Sequence, residues 1–139
     1  MAPTPQARET FTRLFGVEPQ PHPTDPELFD ILQNGIFDEA FSTGGLDVAR
    51  RELISLVAIA AIGATTQLRP HVAGAIRAGS SRQKVAAALV QVMPYIGGPY
   101  ALSGLVLVAR YDEKASAEAY RREAGPGGAA APTVAAAVR

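Results

Sequence analysis

The stretch RELISLVAIAAIGATTQLRPHVAGAIRAGSSRQKVAAALVQVMPYIGGP, residues 51–99, decides the fold of this chain. It is a nearly continuous run of Ala, Leu, Ile and Val in which polar residues appear singly. No part of it alternates apolar and polar residues with the period of two that a half-buried strand needs, and β-branched residues do not cluster. Its breaks are Gly63, Gly79, Pro94 and Gly97-Gly98-Pro99, and between them apolar residues recur at helical spacing. Leu68, Val72, Ala75, Ile76 and Gly79 share one face, and Val85, Ala88, Leu89, Val92 and Met93 form a second stripe. The isolated polar residues are the candidates for chemistry, His71 first among them, because it sits at the border of its apolar face, where a side chain is held by packing and still reachable.

Working outward, a helix is expected from Leu46-Asp47, whose acid suits the positive end of the dipole, to Gly63. From Leu53 onward it is apolar on every face except at Ser55, which implies a central position or a subunit interface. Arg50, Arg51 and Glu52 stand at the mouth of that run. Thr65-Thr66 is expected to cap the next helix, with Pro70 in or near its first turn. Ser80 to Gln83 reads as a capping box that opens another, which Pro94 should stop near Met93. Pro99 then starts a last helix through Leu102, Leu105, Val106 and Val108 to about Arg122.

Toward the N-terminus, Phe11, Leu14 and Phe15 belong to a short helix ended by Gly16. The proline-rich loop from Glu18 to Pro26 carries His22 as a solvated residue. Asp25-Pro26 reads as an N-cap followed by proline at the first helical position, and Asn34-Gly35 closes that helix. Ile36 to Phe41 makes a further apolar turn, with Asp38 and Glu39 toward solvent. Beyond Ala124 the chain reads GPGGAAAPTVAAAVR, too poor in large apolar side chains to offset its ordering entropy, so residues 124–139 are expected to be a disordered tail. The expectation is an all-α fold of about six helices with short loops, in one domain over residues 1–123.

Composition narrows the function classes. Thirteen basic and thirteen acidic side chains cancel in 139 residues, so no basic field exists to draw the chain onto nucleic acid. The absence of cysteine removes disulfides, thiolate nucleophiles and cysteine-based metal centres. The strongly apolar run from Leu53 to Ile62 is about half of what a membrane-spanning helix needs. The opening MAPTPQARET lacks the apolar core of a signal peptide, and a cytoplasmic location is expected. The apolar helix from Leu53 to Ile62 and the apolar last helix exceed what a monomer of this size covers, so a homo-oligomer, a trimer or hexamer, is expected.

Leu46-Asp47-Val48-Ala49-Arg50-Arg51-Glu52-Leu53, Gln67-Leu68-Arg69-Pro70-His71, Ala75-Ile76-Arg77-Ala78-Gly79 and the run from Gln91 to Pro99 occur in that order. Over about Leu46 to Ala109 the chain resembles the carboxymuconolactone decarboxylase family, within the alkylhydroperoxidase-like all-α superfamily. The resemblance implies a small homo-oligomeric enzyme that decarboxylates an unsaturated lactone acid in aromatic catabolism, with no metal or organic cofactor. Two departures stand out. The Cys-x-x-Cys of the peroxidase-like branch is absent. Gln83, Lys84, Ala86 and Ala87 replace the acidic residues usual in the helix after the histidine helix, so the expectation is that the glutamate often accompanying the histidine is missing.

Decarboxylation beside an unsaturated lactone leaves an enolate-like anion. The site then needs a cation to hold the acid, a donor for the oxyanion and an acid to reprotonate carbon. Imidazole moves a proton most readily near neutral pH, which makes His71 the acid/base candidate. Arg51 is the candidate anion clamp, and Gln67 and Tyr95 the neutral donors. The competing reading of His71 is a packed structural histidine, that of Arg51 a salt bridge, and that of Tyr95 a core aromatic. A metal site is not expected, because no carboxylate lies three or four residues after His71. Three functions remain open on sequence: this decarboxylation, another proton transfer such as isomerisation, cyclisation or dehydration in a biosynthetic pathway, and a non-catalytic oligomeric binding protein.

Overall fold

A computed structural model describes residues 2–124, with residues 117, 120, 121, 123 and 124 described by their backbone alone. The expected tail lies outside the described residues, apart from Ala124, which ends the last helix. Among the described residues there are seven α-helices: α1 (Pro5–Phe15), α2 (Pro26–Asn34), α3 (Val48–Ala61), α4 (Thr65–Arg77), α5 (Arg82–Ile96), α6 (Gly98–Ala109) and α7 (Glu113–Ala124). A six-residue π-helical turn, Gly35–Ala40, continues directly from α2. No strand occurs among the described residues. The all-α expectation is met, with one helix more than the sequence pattern shows.

Short polar residues set most of the starts. Asp25 and Asp47 accept from the backbone N–H groups of Leu28 (2.9 Å) and Arg50 (2.8 Å), satisfying donors that a helix N-terminus leaves free. Two expected caps differ. α4 begins after Ala64 without a side-chain cap, its threonines already lying within the first turn. α5 is capped by Ser81, whose Oγ accepts from Lys84 N at 3.1 Å, and not by Ser80, which is buried. The box fails by one register, because Ser80 still belongs to the turn that packs behind α4.

Two helix ends also differ from expectation. α5 passes through Pro94 and ends at Ile96, where Gly97 takes a positive φ of 90°. A proline removes one donor and crowds one carbonyl, a cost of about 3 kcal/mol in an interior that packing outweighs here. Pro70 likewise lies within α4 rather than at its start. The last expected helix is two helices, since Asp112 Oδ1 accepts from Ala115 N at 2.8 Å and opens α7 after a turn at Arg110–Asp112.

The main core joins α3, α4, α5 and α6 through Leu56, Leu68, Val72, Val85, Leu89 and Val108. Each fully buried leucine there contributes about 1.5–3 kcal/mol relative to an exposed one. α5 and α6 approach most closely at Gly104, where an added Cβ would lie 2.8 Å from Leu89 Cδ1. A second cluster of Phe11, Leu14, Phe15 and Phe37 seats α1 and the π-helical turn. Thr4 locks the two together, since it caps α1 through Ala7 N (3.1 Å) and donates to Asp38 Oδ2 (2.6 Å). This N-terminal cluster puts Leu14 and Phe15 against α4 at the level of His71. No described helix is long and apolar enough to cross a membrane.

Candidate active site

α3 and α4 are consecutive helices joined by the turn at Ile62–Ala64, and their packed faces carry the site. On α3, Glu52 lies one and two helical repeats before Leu56 and Ala60, so the stripe that buries those residues buries the acid too. Its side chain is 0 % exposed, an expensive place for a carboxylate unless it is partnered. The partner is His71 on α4, whose Nδ1 stands 2.5 Å from Glu52 Oε1. The His71 side chain is 15 % exposed and is held on another side by the ring of Phe15, edge-to-face at 5.5 Å between centroids.

This contact corrects the expectation that the acid accompanying His71 is missing. It comes from the helix before the histidine helix, nineteen positions upstream. The residues that replace acids after it are not concerned: Gln83, Lys84 and Ala87 are exposed, and Ala86 packs on the main core. An acid in phase with Leu56 and Ala60 was the available sequence signal.

The proton arrangement follows from the donor inventory. An ionised carboxylate only accepts, so Nδ1 donates to Glu52 Oε1, and a neutral ring then presents the lone pair of Nε2. Nε2 makes no hydrogen bond among the described residues and is not among the buried unpartnered atoms, so it is reachable from outside. Glu52 Oε2 is both buried and without a partner. Glu52 is thus answered by a single imidazole, through Oε1 alone.

Gly74 makes the pair possible. A Cβ there would lie 2.8 Å from Glu52 Oε1, 3.3 Å from its Cδ and 3.5 Å from the Leu14 carbonyl oxygen. Gly74→Ala should push the carboxylate off Nδ1. The added methyl overpacks the site at about 1–3 kcal/mol, offset by about 1 kcal/mol of better helix propensity. The expected outcome is a net loss of up to about 2 kcal/mol with turnover down by about tenfold to a hundredfold, because small misplacements of a reacting group are costly. Calorimetry and rate measured on one preparation check it, and undiminished turnover would show that Glu52 does not need its present place.

The other sequence candidates are not gathered round His71. Arg51 donates through Nε to Leu46 O (2.8 Å), through Nη1 to Ala40 O (2.7 Å) and through Nη2 to Thr43 O. All three contacts are backbone carbonyls of the loop before α3, so this guanidinium is a loop clamp instead of a free anion clamp. Tyr95 is 82 % exposed on the last turn of α5. Gln67 is exposed one turn before His71 on α4. No hydrogen bond, ion pair or ring contact joins any of the three to His71 among the described residues. His22 is half-buried in its loop and not the solvated residue expected, its Nδ1 accepting from Thr24 N at 3.3 Å and its ring 5.9 Å from that of Phe29, whereas Glu39 is exposed as expected. No group of three or more side chains of metal-binding type assembles among the described residues.

A small all-helical chain with a buried carboxylate–imidazole pair across two consecutive helices is the class that fold and site define. Residues 26–110 match the carboxymuconolactone decarboxylase family, and the chain belongs to that family. No curated protein matches the chain.

Proposed function

We propose that the chain is a cofactor-independent carboxy-lyase for a small unsaturated lactone or keto acid, with His71 and Glu52 as its acid–base pair. The observation that carries this reading is the 2.5 Å contact between His71 Nδ1 and the fully buried Glu52, with Nε2 left reachable. In the charged state the imidazolium carries a proton on Nε2 while Glu52 stabilises its positive charge. The C–CO2 bond of the substrate breaks, its electron pair passes into the unsaturated lactone, and the resulting carbanion takes the Nε2 proton. Carbon dioxide leaves, the ring becomes neutral, and solvent restores the proton. The balance is one carboxylate and one proton in, one C–H bond and CO2 out. Gln67, exposed on the same side of α4 one turn earlier, supplies a neutral donor for the lactone oxygen. Arg51 has no part in this reading, because its three guanidinium nitrogens each hold a backbone carbonyl ahead of α3. The experiment is CO2 release from carboxymuconolactone, wild type against variants of the pair.

The same proposal includes a homo-oligomer, a trimer or hexamer. Ile62 is 77 % exposed at the end of α3, and Ile54, Val90, Tyr95 and Leu102 on α3, α5 and α6 are about half exposed or more. Apolar side chains in that number on neighbouring helices are what copy–copy contacts cover. Light scattering at micromolar concentration should return a multiple of the 14.5 kDa chain mass. Replacing Leu102 with lysine should shift that mass downward, and a wild-type monomer would contradict the assembly.

A further inference from the structure

A cleft of about 230 Å³ opens between α4, the end of α6 and the start of α7, away from His71. Arg69, Val72, Val106, Leu107, Arg110 and Asp112 line it. Its rim is fixed by contacts that have nothing to do with the acid–base pair. Arg82 donates to the Tyr111 carbonyl at 2.7 Å, and its guanidinium carbon lies 5.3 Å from the centre of the Tyr111 ring. Arg77 holds Glu113 at 2.7 Å, and the Tyr111 hydroxyl donates to the same carboxylate. Burial, together with Glu113, pushes the Tyr111 hydroxyl up to about 12, so it stays a proton donor to that acid near neutral pH.

Charge is unevenly settled around this cleft. Arg77 and Arg82 are committed to Glu113 and Tyr111. The guanidiniums of Arg69 and Arg110, which line the cleft, make no hydrogen bond or ion pair among the described residues. The acid in the lining, Asp112, gives Oδ1 to the first turn of α7 and forms no ion pair with either arginine. Two unanswered guanidiniums therefore border one small depression whose remaining walls include Val72, Val106 and Leu107. Guanidinium forks match a carboxylate in shape, and mutual repulsion between the two becomes attraction once an anion lies between them. The volume is below the ~300–1,000 Å³ of sites for drug-sized ligands, so the occupant is small.

We propose that this cleft binds a small organic carboxylate, its charged group between Arg69 and Arg110 and its apolar body against Val72, Val106 and Leu107. The site is distinct from that of His71. At about 100° per residue, Arg69 and His71 leave α4 about 200° apart, on nearly opposite sides of the helix. A ligand here ties α4, which carries the histidine, to α6 and α7.

Isothermal titration calorimetry of the full chain with benzoate tests this, with benzamide as the uncharged counterpart. Wild type should bind one benzoate per chain, and benzamide at least about tenfold more weakly. Arg69→Ala and Arg110→Ala should each weaken benzoate by about tenfold, and the double variant should show no saturable binding. Arg50→Ala, which alters an exposed pair with Asp47 elsewhere on the surface, should bind as wild type does. His71→Asn should also bind benzoate normally. Circular dichroism and light scattering of each variant accompany the titrations. Equal binding of benzamide, undiminished binding by the double variant, loss of binding in His71→Asn, or no saturable binding by wild type would each overturn the proposal. So would a change of oligomeric mass in the folded double variant, which would give the arginines to a contact between copies.

Discussion

Replacing His71 with asparagine should lower CO2 release from carboxymuconolactone by at least about a hundredfold, the usual effect of losing a general acid. The choice of asparagine matters, because its Nδ2 comes close to the place of imidazole Nδ1 and keeps a donor on Glu52. Alanine would instead strand a fully buried carboxylate, and breaking a buried pair costs about 3–5 kcal/mol. His71→Asn should therefore melt close to wild type while His71→Ala melts well below it, and rate and melting curve on the same preparations separate chemistry from packing. A histidine that only fills space would reverse the pattern, with asparagine losing stability and keeping its rate per folded molecule.

Glu52→Gln should reduce turnover by about a hundredfold to ten-thousandfold, the range seen when the carboxylate behind a catalytic histidine is neutralised. The amide cannot stabilise an imidazolium, and if its NH2 turns to Nδ1 it selects the wrong ring tautomer. Stability should not fall with the rate. Glu52 Oε2 has no partner, and an amide is cheaper to bury than a carboxylate, so the melting temperature should hold or rise. A gain in stability beside a loss in rate marks a group kept for its chemistry. A drop in both would place Glu52 among the structural residues.

The sequence makes the helical class legible because its punctuation is chemical. Asp25 and Asp47 act as the caps their side chains allow, and Gly97-Gly98-Pro99 separates α5 from α6. What stays hidden is governed by contacts between elements. Pro94 ends nothing, since packing of α5 on α3 and α6 outweighs one lost hydrogen bond. The break between α6 and α7 carries no glycine or proline, only Asp112 as a cap, and apolar spacing continues up to it. The sequence favours Ser80 as the cap through Gln83, and burial of Ser80 behind α4 gives the role to Ser81.

The site divides in the same way. His71 stands out as a lone imidazole at the edge of an apolar face. Glu52 escapes notice because it adjoins Arg50 and Arg51, which makes it look like part of a solvated mouth. Its phase with Leu56 and Ala60 is the better guide, and it puts the acid inside. Arg51 looks like an anion clamp from its neighbours, yet each of its three guanidinium nitrogens donates to a backbone carbonyl, of Leu46, Ala40 and Thr43. Only the folded loop shows that competition. The exposure of Tyr95 belongs to the isolated chain, and a second copy is what would change it.

In the proposed reaction His71, backed by Glu52, delivers the proton that replaces CO2. The most direct measurement is the rate of CO2 release from carboxymuconolactone by wild type, His71→Asn and Glu52→Gln at equal concentrations of folded protein. Wild type should turn the lactone over, and both variants should lose at least about a hundredfold in rate with melting temperatures near or above that of wild type. Wild-type rates in a stable His71→Asn variant, or a wild type that leaves the lactone unchanged, would contradict it.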